Sequence, residues 1–460
     1  MLRDLSLEVM TTNPTQAAST HKEHATSQSA HELSRLVART VEIPARGTNL
    51  TALIDLLPAT APLAWVRRGE GIVGWGEVAR LEFTGADRFD EAISAWNHIR
   101  EHVIIRDEVK LPGTGAVAFG TFGFSYATKN PSVLIIPQVV VGRRGDTWWL
   151  TTITTADEPF AHQMNLDDLA QDLEPVSIPG AVAFSAGSRS EDEWKGVVAR
   201  GIELIKAGQL DKIVLARDVV GRTDNPIDVR HLLGNLAVAY QNCWTFSVDT
   251  MVGATPELLV RTEKGLVTSR VLAGTIQRTG DDETDTAHAA ILAHSSKDLE
   301  EHEYAVRSVA DALRPYCSSL NVPETPFVLH LPNVLHLASD VAAVVDSSAG
   351  ATSLSLAKAL HPTAAVCGTP TVEAAQTILE IEGMDRSRYA GPVGWLGADG
   401  DGEWGIGLRS AELSATDPHQ IRLFAGCGIV AASDPASELA ETFAKLRPMQ
   451  SALGERVAAE

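Results

Sequence analysis

Four acids at helical spacing are the first candidates for chemistry in this chain. Asp298 and Glu301 lie three residues apart in KDLEEHEYAVRSVADAL, and Glu438 and Glu441 lie three apart in ASELAETFAKL. Residues i and i+3 share a helix face, so each pair would present two carboxylates side by side. Opposed across a cleft, two such faces would make an oxygen-only site suited to magnesium, with positions left for water and substrate. The same spacing also describes an ordinary solvated helix face, because 59 acids make such pairs frequent. Lys212 heads the apolar strand KIVLARDV. It either sits at the strand's wet end or points into a closed polar site, where a neighbouring cation and desolvation would favour the neutral amine of a general base. Glu257 follows Thr255-Pro256 in GATPELLV, where proline fixes the backbone and opens a turn. It is either a turn glutamate or an acid held beside a leaving group.

The glycine clusters Gly274-Thr275, Gly368-Thr369 and Ala425-Gly426-Cys427-Gly428 would let backbone N–H groups approach an anion closely. None matches a P-loop or a dinucleotide fingerprint. Gly426 and Gly428 lack the strand–glycine–helix unit and the downstream ribose acid, so nucleotide binding is disfavoured. No G-x-S-x-G or H-E-x-x-H motif occurs. Taken by itself, His336 in NVLHLAS has the setting of a core histidine.

These residues need elements to hold them. Ser190 and Glu193 form a capping box ahead of the apolar stripe Trp194, Val198, Ile202 and Ile205, and Gly208 is placed to end that helix. KIVLARDVV follows as a strand, VRHLLGNLAVAY as a helix and CWTFSVD as a strand. ELLVRTEKGLVTSRVLAG then predicts a hairpin around Glu263-Lys264-Gly265. Residues 36–180 are mostly strand. LAWVRRGEGIVGWGEVARL gives two alternating runs around Gly69-Glu70-Gly71, and PSVLIIPQVVV and TWWLTTIT pair across GRRGD. Between them RFDEAISAWNHI puts Phe89, Ile93 and Trp96 on one helical face. Trp65, Trp75, Trp148 and Trp149, at strand period, belong to the core. Strands are followed by hairpins as often as by helices, which is an α+β pattern. Residues 11–35 carry almost no large apolar side chains and predict a disordered tail. The expected organisation is a tail over 1–35, a mostly-strand N-terminal subdomain over 36–185 and a catalytic region over 188–450.

Composition narrows the partners. The chain has 460 residues and a formal net charge of −21. That balance opposes binding to nucleic acid, which needs clustered Lys and Arg, and anchoring on anionic lipid. Apolar content of 44% and charged content of 21% suit a globular protein. The longest apolar stretch, Val133 to Val141, is far short of the ~20 residues of a spanning helix. MLRDLSLEVMTTNP has no apolar signal region. Cys243, Cys317, Cys367 and Cys427 are widely spaced, which predicts reduced cytosolic thiols rather than a disulfide framework or a zinc site.

Between 212 and 446 a series of blocks occurs in order: KIVLAR, GATPELLV, LAGT, KDLEEH, LHLAS, HPTAAVCGTP, DRSRYAGPVGW, LRSAEL, AGCGIV and SDPASELAETFAKL. In that order they resemble the chorismate-binding enzymes, the family of isochorismate synthase, salicylate synthase, anthranilate synthase component I and aminodeoxychorismate synthase. The resemblance covers about 188–448. It implies an α+β fold of two packed antiparallel-rich sheets with helices outside, around a polar cleft for magnesium and the dicarboxylate chorismate. It implies Glu301 and Glu441 as magnesium ligands, with Asp298 and Glu438 as their partners, directly or through water. The family usually has Glu at the position of Asp298. The implied substrate shell is Gly274, Thr275, His336, Ala365, Tyr389, Arg409, Gly426, Gly428 and Lys445. Arg409 and Lys445 would pair with carboxylate, Arg409 bidentately.

Members of the family differ in nucleophile. Lys212 resembles the base of the water-using members. Some aminodeoxychorismate synthases carry a nucleophilic lysine where this chain has Ala273, so covalent attack is not available. Ala365 stands where salicylate and anthranilate synthases usually have Thr. The resemblance therefore implies an isochorismate synthase. Lys212 would draw a proton from water attacking C2, and Glu257 would protonate the departing C4 hydroxyl. The exchange of one hydroxyl for another should be freely reversible. A salicylate synthase, adding pyruvate elimination, is the alternative. A non-catalytic metal- or anion-binding protein on this fold would have lost the acid or the base, and both are present. The expected partner is chorismate alone, for a monomer in the cytosol feeding menaquinone or siderophore synthesis.

Overall fold

The computed structural model describes residues 35–44, 52–157, 174–331, 334–346 and 348–454; of Lys297 and Glu301 it describes the backbone only. The tail expected over 1–35 lies outside the described residues but for Arg35.

Two sheets form the molecule. Among the described residues the larger has thirteen strands. It runs from Val182–Ala186 through Lys212–Thr223, Gln420–Ile429, Ser410–Leu413, Met251–Thr255 and Trp244–Val248. It continues through Leu63–Arg67, Glu70–Trp75, Val139–Arg144, Thr147–Thr155 and Leu36–Ile43 to Ile104–Asp107, and Gly368–Thr369 pairs with Lys212–Thr223 off this path. The smaller, with ten strands among the described residues, has Val334–Val345, Leu266–Gln277, Leu258–Glu263, Gly402–Ile406, Pro392–Gly397, Val117–Thr121 and Ser132–Ile136 in sequence across its middle. Among the described residues pairing is antiparallel except between Leu36–Ile43 and Ile104–Asp107. Trp65, Phe119, Trp149, Phe246 and Trp395 pack together in one of the buried clusters. Of the four tryptophans expected in the core, Trp65, Trp148 and Trp149 are buried and Trp75 is half-buried.

The border expected between 36–185 and 188–450 exists in sequence only. Trp244–Val248 pairs with Leu63–Arg67, and Pro392–Gly397 with Val117–Thr121, so each sheet is completed by strands from both stretches. Buried N–H and C=O groups at a strand edge need partners, and each half supplies them to the other. A second difference lies in PSVLIIPQVVV, which the sequence presents as one strand. Pro137 breaks it: Ser132–Ile136 joins the smaller sheet and Val139–Arg144 the larger. Proline has no N–H for the ladder and ends the first strand there.

Local signals are otherwise followed. The helix Glu191–Lys206 starts on the Ser190/Glu193 capping box, with Ser190 N–H donating to Glu193 at 2.8 Å, and Gly208 follows it at φ +74°. The hairpin of Leu258–Glu263 and Leu266–Gln277 turns at Lys264-Gly265, both at positive φ. Leu63–Arg67 and Glu70–Trp75 turn at Arg68-Gly69, a residue earlier than the glycine spacing suggests, again with both residues at positive φ as the sheet twist favours.

Candidate active site

Two places where the chain passes between the sheets lie side by side. Met251–Thr255 in the larger sheet leads through Pro256-Glu257 to Leu258–Glu263 in the smaller. Gly402–Ile406 in the smaller leads through Arg409 to Ser410–Leu413 in the larger. Hydrogen bonds lace the crossings together: Ile406 N–H to the Glu257 carbonyl at 3.1 Å, Thr255 Oγ1 to the Ile406 carbonyl at 2.6 Å, and Ala254 N–H to the Arg409 carbonyl at 3.2 Å. Arg409 adopts φ +49°, a left-handed conformation that a non-glycine residue holds only when its surroundings impose it.

These crossings open on a cavity of about 250 Å³. Lys212, Glu257, Gly274, Thr275, Asp298, His336 and Ala365 line it on one side of the chain order, and Tyr389, Arg409, Gly426, Gly428, Glu438, Glu441 and Lys445 complete it. The side chain of Glu301 lies outside the described residues; its backbone is on the helix Ser296–Leu313, with Asp298. Gly368-Thr369 does not line the cavity but pairs with Lys212 and Ile213. Ala273 lies in the cavity wall and presents a methyl group there, with no amine.

Each wall has a local cause. At Gly274 the pairing of Leu266–Gln277 with Val334–Val345 shifts register, and Gly274 takes φ +81°. A Cβ there would stand 3.2 Å from Cβ of Asp298, so glycine lets the strand approach the acid-bearing helix. Past the shift Thr275 pairs with His336, and Thr275 Oγ1 lies 2.9 Å from His336 Nδ1. On Gln420–Ile429, Gly428 makes room for Lys212. The carbonyl of Gly426 accepts from Lys445 Nζ at 2.8 Å, and Lys445 also meets Glu441 at 2.6 Å on the same helix. Tyr389 stacks on Phe424 with ring centroids 5.2 Å apart.

Electrostatics divide these groups. Burial pushes the Glu257 carboxyl up to about 8, against the pull of Arg409, Lys212 and Lys445. It is thus a protonated acid at neutral pH. Burial, with Arg409 and Lys445 adding to it, takes His336 down to about 3, so the imidazole stays neutral. Its Nε2 is buried without a hydrogen-bond partner among the described residues, in a cavity wall. Burial raises the Tyr389 phenol to about 12. A proton donor, a lysine, three further cations (Arg386, Arg409 and Lys445) and a neutral imidazole therefore face one space. The arrangement can receive a dianion and exchange a proton beside it.

Asp298, Glu438 and Glu441 offer only carboxylate oxygens, with no thiolate or imidazole among them, which is the donor chemistry of a hard cation. The backbone of Glu301 places a fourth acid one turn from Asp298. These residues fit magnesium in kind. Among the described residues no three acids, histidines or cysteines stand close enough together to be a formed metal site.

Arg386, inside the block DRSRYAGPVGW but not among the expected site residues, also lines the cavity. Glu382 stands four residues earlier, a spacing that ordinarily marks an exposed helix face. Here both side chains are buried, at 3% and 1% exposure.

A profile described as chorismate binding enzyme matches residues 24–454. Isochorismate synthase MenF of Bacillus subtilis is 30% identical over 412 residues, covering 83% of this chain and 85% of that protein. The salicylate biosynthesis isochorismate synthase of Pseudomonas aeruginosa is 36% identical over 410 residues, covering 86% and 85%. The structure of DhbC from Bacillus anthracis superimposes with a TM-score of 0.71 at 33% identity, covering 87% of this chain and 98% of that one. On the strength of a match over nearly its whole length, the chain belongs to the chorismate-binding enzyme family.

Proposed function

We propose that this protein is an isochorismate synthase, converting chorismate to isochorismate by exchange of the C4 hydroxyl for one at C2. The observation that carries the reading is that Lys212 and the buried Glu257 line one cavity together with Arg409 and Lys445. Lys212 accepts a proton from water as the oxygen attacks C2. The ring double bond shifts, and Glu257 gives its proton to the hydroxyl leaving C4, so water is released and the charges balance. Arg409 and Lys445 hold the carboxylates, and His336, being neutral, adds a hydrogen-bonding group without a charge. Magnesium, held by Glu301 and Glu441 with Asp298 and Glu438 beside them, would supply charge neutralisation at the ring carboxylate. Since one hydroxyl replaces another, the reaction is reversible.

Relatives named as isochorismate synthases support this choice. All four cysteines are free thiols and no helix among the described residues is long and apolar enough to cross a membrane, which supports a cytosolic enzyme; we take it to act as a monomer. Isochorismate would feed menaquinone or siderophore synthesis. The test is to incubate the purified protein with chorismate and magnesium, separate the products and assay pyruvate. Isochorismate without pyruvate is expected. Pyruvate released in step with chorismate consumed would make the protein a salicylate synthase instead.

A further inference from the structure

The strand that begins at Lys212 has an incomplete edge. On one side it pairs continuously with Gln420–Ile429, from Ile213↔Ile429 to Arg222↔Gln420. On the other, Lys212 and Ile213 pair with Thr369 and Gly368, and Val219 to Thr223 pair with Ala186 to Val182. On this second side, among the described residues, 214–218 have no strand beside them. Buried backbone groups left there without partners would each cost free energy.

Other groups close the gap. Val214 N–H donates to the Cys367 carbonyl at 2.8 Å, and its carbonyl accepts from Arg386 Nη2 at 2.7 Å. Ala216 N–H donates to Glu382 Oε1 at 2.6 Å, and its carbonyl accepts from Trp194 Nε1 at 2.9 Å. Arg386 and Glu382 are themselves joined twice, Nε to Oε2 at 2.7 Å and Nη2 to Oε1 at 2.6 Å. Arg386 Nη1 reaches further, to the carbonyl of Val366 at 3.1 Å, and the guanidinium lies over Phe124. A buried ion pair gives little net stability over an apolar pair of similar volume. What this one does provide is geometry. A single rigid guanidinium grips the backbone at Val214, two residues from Lys212, and at Val366, next to Ala365.

We propose that the Glu382–Arg386 pair is a positioning unit for the reaction, fixing Lys212 relative to the Ala365 wall of the cavity. It rests on the reading of Lys212 as the base. Lysine cannot replace arginine here, because an ammonium lacks the planar fork that spans both carbonyls and Glu382. Gln at 382 can still accept from Ala216 N–H, but it leaves the arginine charge buried and unbalanced.

The test compares Arg386→Lys and Glu382→Gln with the wild-type chain, with magnesium present. Folding is followed by circular dichroism and thermal melting, chorismate affinity by equilibrium binding, and turnover by product chromatography. The expected result is a folded protein with chorismate affinity little changed and kcat lowered by roughly 10²-fold, the scale of a misplaced reacting group. Guanidinium ion added to Arg386→Gly should restore part of kcat where equal sodium chloride does not. Turnover of folded Arg386→Lys within about twofold of wild type would overturn the proposal. So would a loss in affinity as large as the loss in kcat, or failure of both conservative variants to fold, which would make the pair purely structural. Lys212→Ala, assayed alongside, separates the two readings. If it keeps turnover, the base assignment has failed. If it is inactive while Arg386→Lys is not, only the positioning role has failed.

Discussion

Lys212 lies across Gly428: a Cβ on that glycine would stand 2.8 Å from Cε of the lysine and 3.4 Å from its Nζ. The two strands are neighbours in the ladder, so the glycine is what leaves the lysine its course into the cavity. Gly428→Ala should therefore fold, because a lysine end can swing away, but should turn over roughly 10²-fold more slowly with the amine displaced. Unchanged kcat in Gly428→Ala, with a normal thermal melt, would show that the course of Lys212 does not matter.

Removing either proton-transfer group should be worse for turnover than for folding. Lys212→Ala and Glu257→Gln are each expected to cost at least ~10²-fold in kcat. Steady-state assays with chorismate, on protein shown to be folded, check this. Near-normal turnover in Lys212→Ala would remove the lysine as base.

Burial of Glu257 has consequences for pH. The carboxyl sits at about 8 in the folded protein against 4.5 in its ordinary state, so the folded chain keeps a proton that the unfolded chain releases. That contribution to stability is complete below about 4.5 and is lost as pH rises through about 8. Melting temperature should decline across this window in wild type and decline less in Glu257→Gln. In the forward direction kcat/KM should fall as pH passes about 8 and the acid is lost. An alkaline limb equally present in the melting curve of Glu257→Gln would mean that another group governs stability there.

The acids on the two helices lead to a metal prediction. Chelation should abolish turnover and magnesium should restore it, whereas Glu441→Ala should stay inactive at magnesium concentrations that saturate wild type. Full turnover in metal-free buffer would end the magnesium reading.

Ala365 lines the main cavity and also a smaller space behind it, and Glu257 lines both. Threonine at 365 would bring a hydroxyl and an extra methyl beside that acid in a packed wall. Ala365→Thr should lower isochorismate formation and raise the share of salicylate and pyruvate. Product chromatography with a pyruvate assay reads both, and an unchanged product ratio would take product choice away from this position.

Much of this protein is written locally in its sequence. The capping box at Ser190 and Glu193, the turn at Lys264-Gly265 and the paired acids on Ser296–Leu313 and Pro435–Leu453 follow from residues within one turn of each other. Hydrogen bonds of that range need no distant partner, so spacing alone foretells them. The ordered blocks from KIVLAR to SDPASELAETFAKL, through their likeness to a family, also drew attention to residues that the structure brings to one cavity.

Sheet membership was decided elsewhere. Pro137 is a local signal that a strand ends, but nothing in PSVLIIPQVVV says that the two parts join different sheets, or that strands from before residue 185 complete both. Strand pairing depends on register between segments hundreds of residues apart, as in Phe246↔Trp65 and Trp395↔Phe119, and alternation within a strand carries no label for its partner. The same holds for the site. Glu257 becomes a protonated acid because two chain crossings bury it, against the pull of Arg409, and Arg386 is internal where one edge of the strand from Lys212, at Val214 and Ala216, is met by side chains and a loop carbonyl instead of a strand. Desolvation and the satisfaction of buried backbone groups belong to the packed chain as a whole, so only the tertiary structure could set them.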